Sequence, residues 1–356
     1  MEFVTYSLIL IGLALFVLLT AAAYSVYLER KVAALIQQRV GPNRVGPWGL
    51  LQPLADVIKL ILKEDIVPSV ADKFVHFIAP IISVTIALVV MAVIPFAKGD
   101  IAMTEATGGF LVIADVNIGI LYVLAITSIA VYGVTLAGWS SNSKYALLGG
   151  LRSSAQMISY ELAMGLAVVS VIILTNAKFG GAEGFLKPSA IVESQRFAWN
   201  AFINPLGFLI FVVCAFAEAN RAPFDLVEAE QELVGGFHTE YSSMKFALFF
   251  VAEYIHVISA SMLITTLFFG GYLLPFEGLL GVETWPAWLQ ITAGVSTFLL
   301  KTAFFVFVFV WVRWTLPRFK YNQLMDIGWK KFLPLSLANL MLIALGSAIY
   351  IMATAG

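Results

Sequence analysis

Long apolar runs, separated by shorter polar segments, set the pattern of this chain. Eight of these runs are long enough to cross a bilayer as helices, which takes about 20 mostly apolar residues for a hydrocarbon core of roughly 30 Å. The approximate bounds of the predicted spans are 3–28, 74–97, 117–139, 156–175, 202–219, 245–274, 287–313 and 332–352. The pattern therefore predicts an all-α, polytopic membrane protein in which residues 1–356 form a single integral membrane domain.

The segment 29–73, between the first two spans, carries a periodic pattern of its own. From Leu50 onwards its apolar residues recur at helical spacing, while polar residues fall on the opposite face. Those polar residues are Gln52, Asp56, Lys59 and Lys63. This arrangement predicts an amphipathic helix that lies at the membrane surface of a cytoplasmic loop.

The segment 218–244 is an acidic loop between the fifth and sixth spans. Pro223 can occupy the first turn of a short helix there, and the Gly235-Gly236 pair can end it. In such a helix three carboxylates, spaced by three and four residues, share one face. They are Asp225, Glu228 and Glu232, and Glu218 and Glu230 lie in the same segment. A solvated loop helix would account for these charges if they stood alone.

Carboxylates inside apolar runs argue for more than a solvated loop. Glu161 and Glu253 lie within predicted spans, and Glu218 lies near the end of one. A charge at the centre of a membrane helix costs about 2.5 to 3.5 kcal/mol, so such residues normally line a polar path or pair with another charge. Desolvated carboxyl groups titrate closer to neutral pH. The acidic residues together are therefore suited to proton relay.

The composition agrees with a membrane protein, and the distribution of charge sets its orientation. Hydrophobic residues make up 60% of the chain and charged residues only 12%, against roughly a quarter in soluble proteins. Of the 21 Lys and Arg residues, sixteen fall in or beside the segments that follow spans 1, 3, 5 and 7. The other five are Lys98, Lys178, Lys187 and Arg196 on the opposite side and Lys301 within span 7. Because basic residues are retained in the cytoplasm, both termini are predicted to be periplasmic.

Several kinds of site have no support in the sequence. Cys214 is the one cysteine, so the chain cannot build a disulfide, a cysteine zinc site or an iron–sulfur cluster by itself. Neither GxGxxG nor GxxxxGK[ST] occurs, which removes the usual motifs for nucleotides, and no nucleic-acid partner is expected. His76, His238 and His256 lack metal-ligand spacing and are interpreted as core or interfacial residues.

Four long motifs carry a resemblance to a known family. They are ERKVAALIQQRVGPNRVGPWGLLQPLADVIKLILKED, GWSSNSKYALLGGLRSSAQMISYE, AEANRAPFDLVEAEQELVGGFHTEYSSMKFALFFVAEY and PRFKYNQLMDIGWKKFLPL. With them, nearly the whole chain resembles a family of bacterial NADH-quinone oxidoreductase membrane subunits, the counterparts of subunit 1 of respiratory complex I. The resemblance implies a membrane subunit that joins the redox arm to the proton-pumping arm.

The resemblance also implies partners and a substrate. The subunit forms much of the tunnel through which quinone enters, beside soluble quinone-site subunits and small membrane-arm subunits. Those neighbours hold the redox centres, so this chain is expected to bind no flavin, iron–sulfur cluster or metal of its own. The expected location is the bacterial inner membrane.

Site residues follow from the resemblance motif by motif. The residues matched to the quinone tunnel or its mouth are Arg30, Arg39, Asp56, Phe224 and Arg313. Those matched to the acidic proton path are Glu161, Glu218, Asp225, Glu228, Glu230, Glu232 and Glu253. One position departs from the family, since Asn322 stands where an Asp is usual, and Asn322 cannot carry a charge.

Other functions stay open on the sequence alone. The nearest is the related membrane subunit of a hydrogenase or ferredoxin-linked complex, although the first loop matches the quinone enzyme closely. A secondary proton transporter would also carry carboxylates in its spans, but the paired, interrupted repeats of many transporters are not visible here. A passive membrane anchor would not need Glu161 and Glu253 in apolar runs.

Overall fold

A computed structural model of the chain describes residues 2–100, 104, 107–179, 185–225, 234–275 and 282–355. Twelve α-helices dominate these residues, joined by short 3-10 turns, one π-helix over Ile327–Phe332 and one two-stranded hairpin. The helices are α1 Glu2–Ile36, α2 Gln52–Leu62, α3 Lys73–Val89, α4 Gly119–Ser140, α5 Lys144–Phe179, α6 Pro188–Glu193, α7 Asn200–Ile203, α8 Pro205–Glu218, α9 Ser243–Phe268, α10 Ala287–Thr315, α11 Tyr321–Asp326 and α12 Leu333–Ala355. The all-α prediction is confirmed.

Within the described ranges, seven helices are long and apolar enough to cross a membrane. They correspond to seven of the eight predicted spans and contain α1, α3, α4, α5, α9, α10 and α12. The remaining prediction, over 202–219, corresponds to α8, which is 14 residues long and rises only about 21 Å. That length is short of the roughly 30 Å of a hydrocarbon core.

The short length of α8 has a local cause at its first residues. The Asn204 side chain accepts a hydrogen bond from the backbone N–H of Gly207, and Pro205 occupies the first turn, where its missing N–H leaves no bond unmade. The chain before Asn204 is a separate four-residue helix, α7. The apolar run over 202–219 is thus divided before α8 begins.

The helices pack around a core formed by α5, α8 and α9. Tyr160, Phe211 and Phe268 are large side chains that are completely or almost completely buried there. Between α3 and α4 the chain forms a hairpin of β1 Ala97–Lys98 and β2 Phe110–Leu111.

The two loops singled out by the sequence differ in how they fold. Helix α2 is amphipathic, and none of its residues is buried. In the acidic loop, residues 222–224 form a turn and bend and Asp225 is not helical, so the helix predicted to begin at Pro223 does not begin there. Residues 226–233, where the rest of that predicted helix falls, lie outside the described ranges.

Contacts between loops group the described segments at two ends of the bundle. At one end, Lys245 pairs with Asp65 at 2.8 Å. At the other end, Lys187 pairs with Asp115 at 2.9 Å and Lys98 with Glu193 at 3.1 Å. These partners fall on the same side in the orientation predicted from Lys and Arg.

Candidate functional site

A large cavity lies where α1, α2, α9 and α10 meet, with a volume of about 700 Å³. Four of the five residues predicted for a quinone tunnel line it: Arg30, Arg39, Asp56 and Arg313. Apolar side chains such as Val57, Phe250 and Trp314 form much of the remaining wall. The cavity therefore combines an apolar surface with a few charged groups, as sites for small amphipathic molecules do.

Arg30 and Asp56 hold α1 and α2 together at the side of this cavity. Their Nη1 and Oδ2 atoms are 2.6 Å apart, and Gln52 donates to the other carboxylate oxygen at 3.2 Å. The Arg30 side chain is 44% exposed. A pair this accessible to solvent contributes little to stability, typically below about 1 kcal/mol. Its interest therefore lies in its position on the wall of the cavity.

Phe224 and Asn322 lie away from the cavity wall. Phe224 is buried in the core, with its ring centroid 5.3 Å from that of Tyr160 and 5.6 Å from that of Phe319. Asn322 is exposed in the first turn of α11. The structure thus brings together four of the five predicted tunnel residues and leaves Phe224 outside their group.

A buried group of charges closes the inner end of the large cavity. Arg221 lies at its centre, with Nη1 3.2 Å from Glu29 Oε2 and Nε 2.7 Å from Glu253 Oε1. Arg313 pairs with the other oxygen of Glu29. Tyr254 donates its hydroxyl proton to Glu29 at 2.8 Å, and its ring lies 4.3 Å below the Arg221 guanidinium. We call these five residues the ion-pair cluster.

The ion-pair cluster is neutral overall, since two guanidinium groups face two carboxylates. Burial by itself lowers the pKa of Arg221, but the carboxylates of Glu253 and Glu29 outweigh that effect, so the pKa is raised above its ordinary value. Arg221 is therefore a permanent cation, and any change of charge in the cluster falls on the carboxylates.

Glu29 is the functional candidate that the sequence reasoning missed. It lies within α1, beside Arg30 and Lys31, in a stretch that the sequence alone presents as the start of an ordinary charged loop. Its partners are distant in sequence, since Arg221 is 192 positions away and Arg313 is 284. The sequence feature that could have identified Glu29 is its position as a carboxylate directly after a long apolar run.

A second, smaller cavity lies on the other side of the ion-pair cluster, with a volume of about 60 Å³. Glu218, Asp225 and Glu253, three of the residues predicted for the proton path, line it together with His238 and His256. The volume is sufficient for a small number of water molecules among polar partners. We call it the acidic cavity.

Asp225 is the most buried carboxylate of the acidic cavity, at 2% exposure. Its Oδ2 atom lies 3.0 Å from Nη2 of Arg318, in the segment after α10. The same segment is tied to the loop by the backbone N–H of Phe319, which donates to the carbonyl of Pro223 at 3.0 Å. Asp225 thus joins the acidic cavity to the surface.

Glu161 lies beyond the acidic cavity, on α5. Its carboxylate accepts a hydrogen bond from Ser128 of α4. Glu218 is close enough to Glu161, and to Thr127, which precedes Ser128, to interact electrostatically with both. Four of the seven predicted proton-path residues therefore form a connected series, while Glu228, Glu230 and Glu232 lie outside the described residues.

Arg221 connects the two cavities through one carboxylate of each. Glu29 lines the large cavity and Glu253 lines the acidic cavity, and both bind the same guanidinium. A change in the charge of Glu29 would weaken its hold on Arg221 and strengthen the pairing with Glu253. Among the described residues no group of three or more His, Cys, Asp or Glu side chains has the arrangement of a metal site.

Comparison with known proteins finds one family and relatives whose names refer to one enzyme. The family described as NADH dehydrogenase matches residues 9–344. NADH-quinone oxidoreductase subunit 8 of Rhodothermus marinus is 59% identical over 342 residues, covering 94% of each chain. An NADH-quinone oxidoreductase subunit from Salinibacter ruber is 55% identical over 94% of this chain and 93% of that protein. The corresponding protein of Leptospira biflexa, also named as a subunit of that enzyme, is 52% identical over 90% and 88%.

Proposed function

The chain belongs to the NADH dehydrogenase family, and from this premise we propose that it is the membrane subunit of an NADH-quinone oxidoreductase that admits quinone and couples its reduction to proton movement. The relatives at 59% and 55% identity carry that enzyme's name. The proposal includes the other subunits of the complex as partners, the bacterial inner membrane as location, and periplasmic termini.

The observation that carries the proposal is that one guanidinium binds a carboxylate of each cavity. The large cavity has the mixed lining that a quinone requires, since the polar ring enters first and reaches the charged inner end, while the apolar tail lies behind it toward the bilayer. It lies between two predicted spans, α1 and α9, and the surface helix α2. In this interpretation the cavity is the part of the quinone tunnel built by this chain.

Reduction of a quinone consumes two electrons and two protons and yields a quinol. The electrons come from redox centres in neighbouring subunits. Before these two protons reach the ring, its negative charge draws a separate proton from water onto the nearest carboxylate of the ion-pair cluster, Glu29. When Glu29 is neutralised, Arg221 pairs more strongly with Glu253. This pairing favours the ionised form of Glu253. It thereby alters proton exchange between Glu253 and Glu218 across the acidic cavity.

Glu253→Gln tests this coupling in the assembled complex. The substitution keeps the shape of the side chain but removes a titrating group and one partner of Arg221. Quinone reduction and proton pumping are expected to fall together, while NADH oxidation by a hydrophilic artificial acceptor is retained because that reaction uses redox centres outside this chain.

Glu193→Gln is the matched control, because Glu193 pairs with Lys98 at the other end of the bundle. Wild-type quinone reduction and pumping in an assembled Glu253→Gln complex would contradict the proposal. Equal loss in both variants would do so as well, since it would show a general effect of losing an ion pair.

A further inference from the structure

The large cavity and the acidic cavity come together at one side chain of α9. Phe250 lines both of them, and among the described residues that line either cavity it is the one they share. It lies one helical turn before Glu253, which lines the acidic cavity, and before Tyr254 of the ion-pair cluster. A phenyl ring therefore stands at a second junction between the two cavities, beside the junction at Arg221.

Two more rings pack against Phe250 at this second junction. The ring of Phe246 lines the large cavity, and its centroid lies 4.6 Å from that of Phe250. The ring of His238 lines the acidic cavity, and its centroid lies 5.5 Å from that of Phe246 and 6.1 Å from that of Phe250. These separations are typical of aromatic rings in contact. We call the three residues the aromatic partition.

The two phenyl rings interrupt any chain of hydrogen bonds through the aromatic partition. The His238 imidazole can exchange a proton within the acidic cavity, because its ring nitrogens donate or accept hydrogen bonds. Phe246 and Phe250 offer no such group, and water leaves an apolar constriction. The aromatic partition is thus closed to protons at its phenyl rings.

The ion-pair cluster closes the other junction by different chemistry. Arg221 binds Glu29 of the large cavity and Glu253 of the acidic cavity. Its guanidinium has no hydrogen-bond acceptor and does not give up a proton in proteins. Arg221 therefore transmits a change of charge from one cavity to the other and does not pass a proton.

Building on the proposed function, we propose that the aromatic partition insulates the quinone cavity from the acidic cavity, so that the two exchange charge through Arg221 but no protons. If water joined the cavities, a proton would leave a carboxyl group of the acidic cavity and bind an oxygen of the reduced ring. The electrons would still come from the neighbouring subunits, so quinol would form as before. The proton taken from the acidic cavity would be lost to translocation.

Phe250→Ala tests the aromatic partition in the assembled complex, reconstituted into sealed vesicles. Loss of the phenyl ring leaves space for water, at about 30 Å³ per molecule, and joins the two cavities. The expected result is a wild-type rate of quinone reduction with fewer protons pumped per quinone reduced. Phe249→Ala is the matched control, since Phe249 lines the acidic cavity but not the large one.

Phe250→Leu and Phe250→Asn separate water exclusion from packing. The two new side chains are similar in size, but leucine keeps the constriction apolar whereas the asparagine amide binds water. Phe250→Leu is expected to pump the wild-type number of protons per quinone, and Phe250→Asn is expected to lose pumping as Phe250→Ala does. Assembly of every variant is checked by NADH oxidation with a hydrophilic acceptor.

A wild-type number of protons per quinone in assembled Phe250→Ala or Phe250→Asn overturns the proposal. Equal loss of pumping in Phe249→Ala and Phe250→Ala overturns it as well, as does equal loss in Phe250→Leu and Phe250→Asn. The proposed function fails by a different result: it is contradicted when the wild-type complex reduces quinone without pumping, whatever the Phe250 variants do.

Discussion

Arg221 and Glu253 form a 2.7 Å ion pair between the loop after α8 and the middle of a membrane-spanning helix. The Arg221 side chain is only 5% exposed, so water cannot replace a lost carboxylate as its partner. Removing one member of such a pair is far more costly than the pair is stabilising, because the other charge stays buried. Substitutions that keep the charge therefore separate the role of this pair in coupling from its role in folding.

Arg221→Lys is expected to lower the quinone-linked rate about tenfold or more while the complex still assembles. A lysine keeps the charge, but its single ammonium group lacks the planar fork that lets Arg221 bind Glu29 and Glu253 at once. The rate is measured against NADH oxidation by a hydrophilic acceptor in the same membranes. A wild-type quinone-linked rate would mean that only the charge of Arg221 matters.

Arg30→Lys is expected to raise the KM for quinone without lowering the thermal stability of the complex. The Arg30–Asp56 pair is too exposed to contribute more than about 1 kcal/mol to folding, whereas the guanidinium shapes the wall of the large cavity. Arg44→Lys is the control, since Arg44 lies in the loop between α1 and α2 but does not line the cavity. Similar KM values for the two variants and wild type would remove Arg30 from the site.

Lys301→Met is expected to destabilise the protein by about 3 kcal/mol, through the loss of hydrogen bonds from a charged donor. The Lys301 amine donates to the carbonyls of Phe269, Gly271 and Leu273 at 2.8, 3.0 and 2.7 Å, just beyond the end of α9. Thermal unfolding of the purified complex measures the change, with exposed Lys331→Met as control. An unfolding temperature equal to that of wild type would argue against this interpretation.

Single cysteines introduced in a Cys214→Ser background test the orientation of the chain. Positions 98 and 197 are expected to react with a membrane-impermeant thiol reagent from the periplasmic side, and positions 38 and 320 only after the membrane is opened. Phe197 is 98% exposed and Lys98 is 48% exposed at one end of the bundle. Labelling of position 38 or 320 in sealed cells would reverse the predicted topology.

The sequence predicted the helical architecture well because membrane spans are determined by local composition. Seven of the eight runs became long helices, and the periodicity from Leu50 marked α2. The exception, α8, shows the limit of counting apolar residues. Mean hydropathy over 202–219 does not register that Asn204 and Pro205 begin a new helix.

The site was harder to predict because its contacts join residues that are remote in sequence. Unusual carboxylates in apolar runs identified Glu161, Glu218 and Glu253, but nothing local pairs Glu253 with Arg221 or Glu29 with Arg313. Glu29 was overlooked because its neighbours are charged as well. Phe224 was assigned to the tunnel through the family motif, and its packing against Tyr160 depends on the tertiary fold.

The short length of α8 has an electrical consequence. If the helix begins at the extracytoplasmic boundary of the hydrocarbon core, its last residue, Glu218, lies about 9 Å short of the cytoplasmic boundary. A proton that reaches Glu218 from the cytoplasm then crosses about a third of the membrane voltage, which corresponds to roughly 0.7 kcal/mol per 100 mV. Proton occupancy at Glu218 would therefore respond to the voltage across the membrane. The protonation of the acidic cavity would then depend on the same voltage that opposes proton translocation.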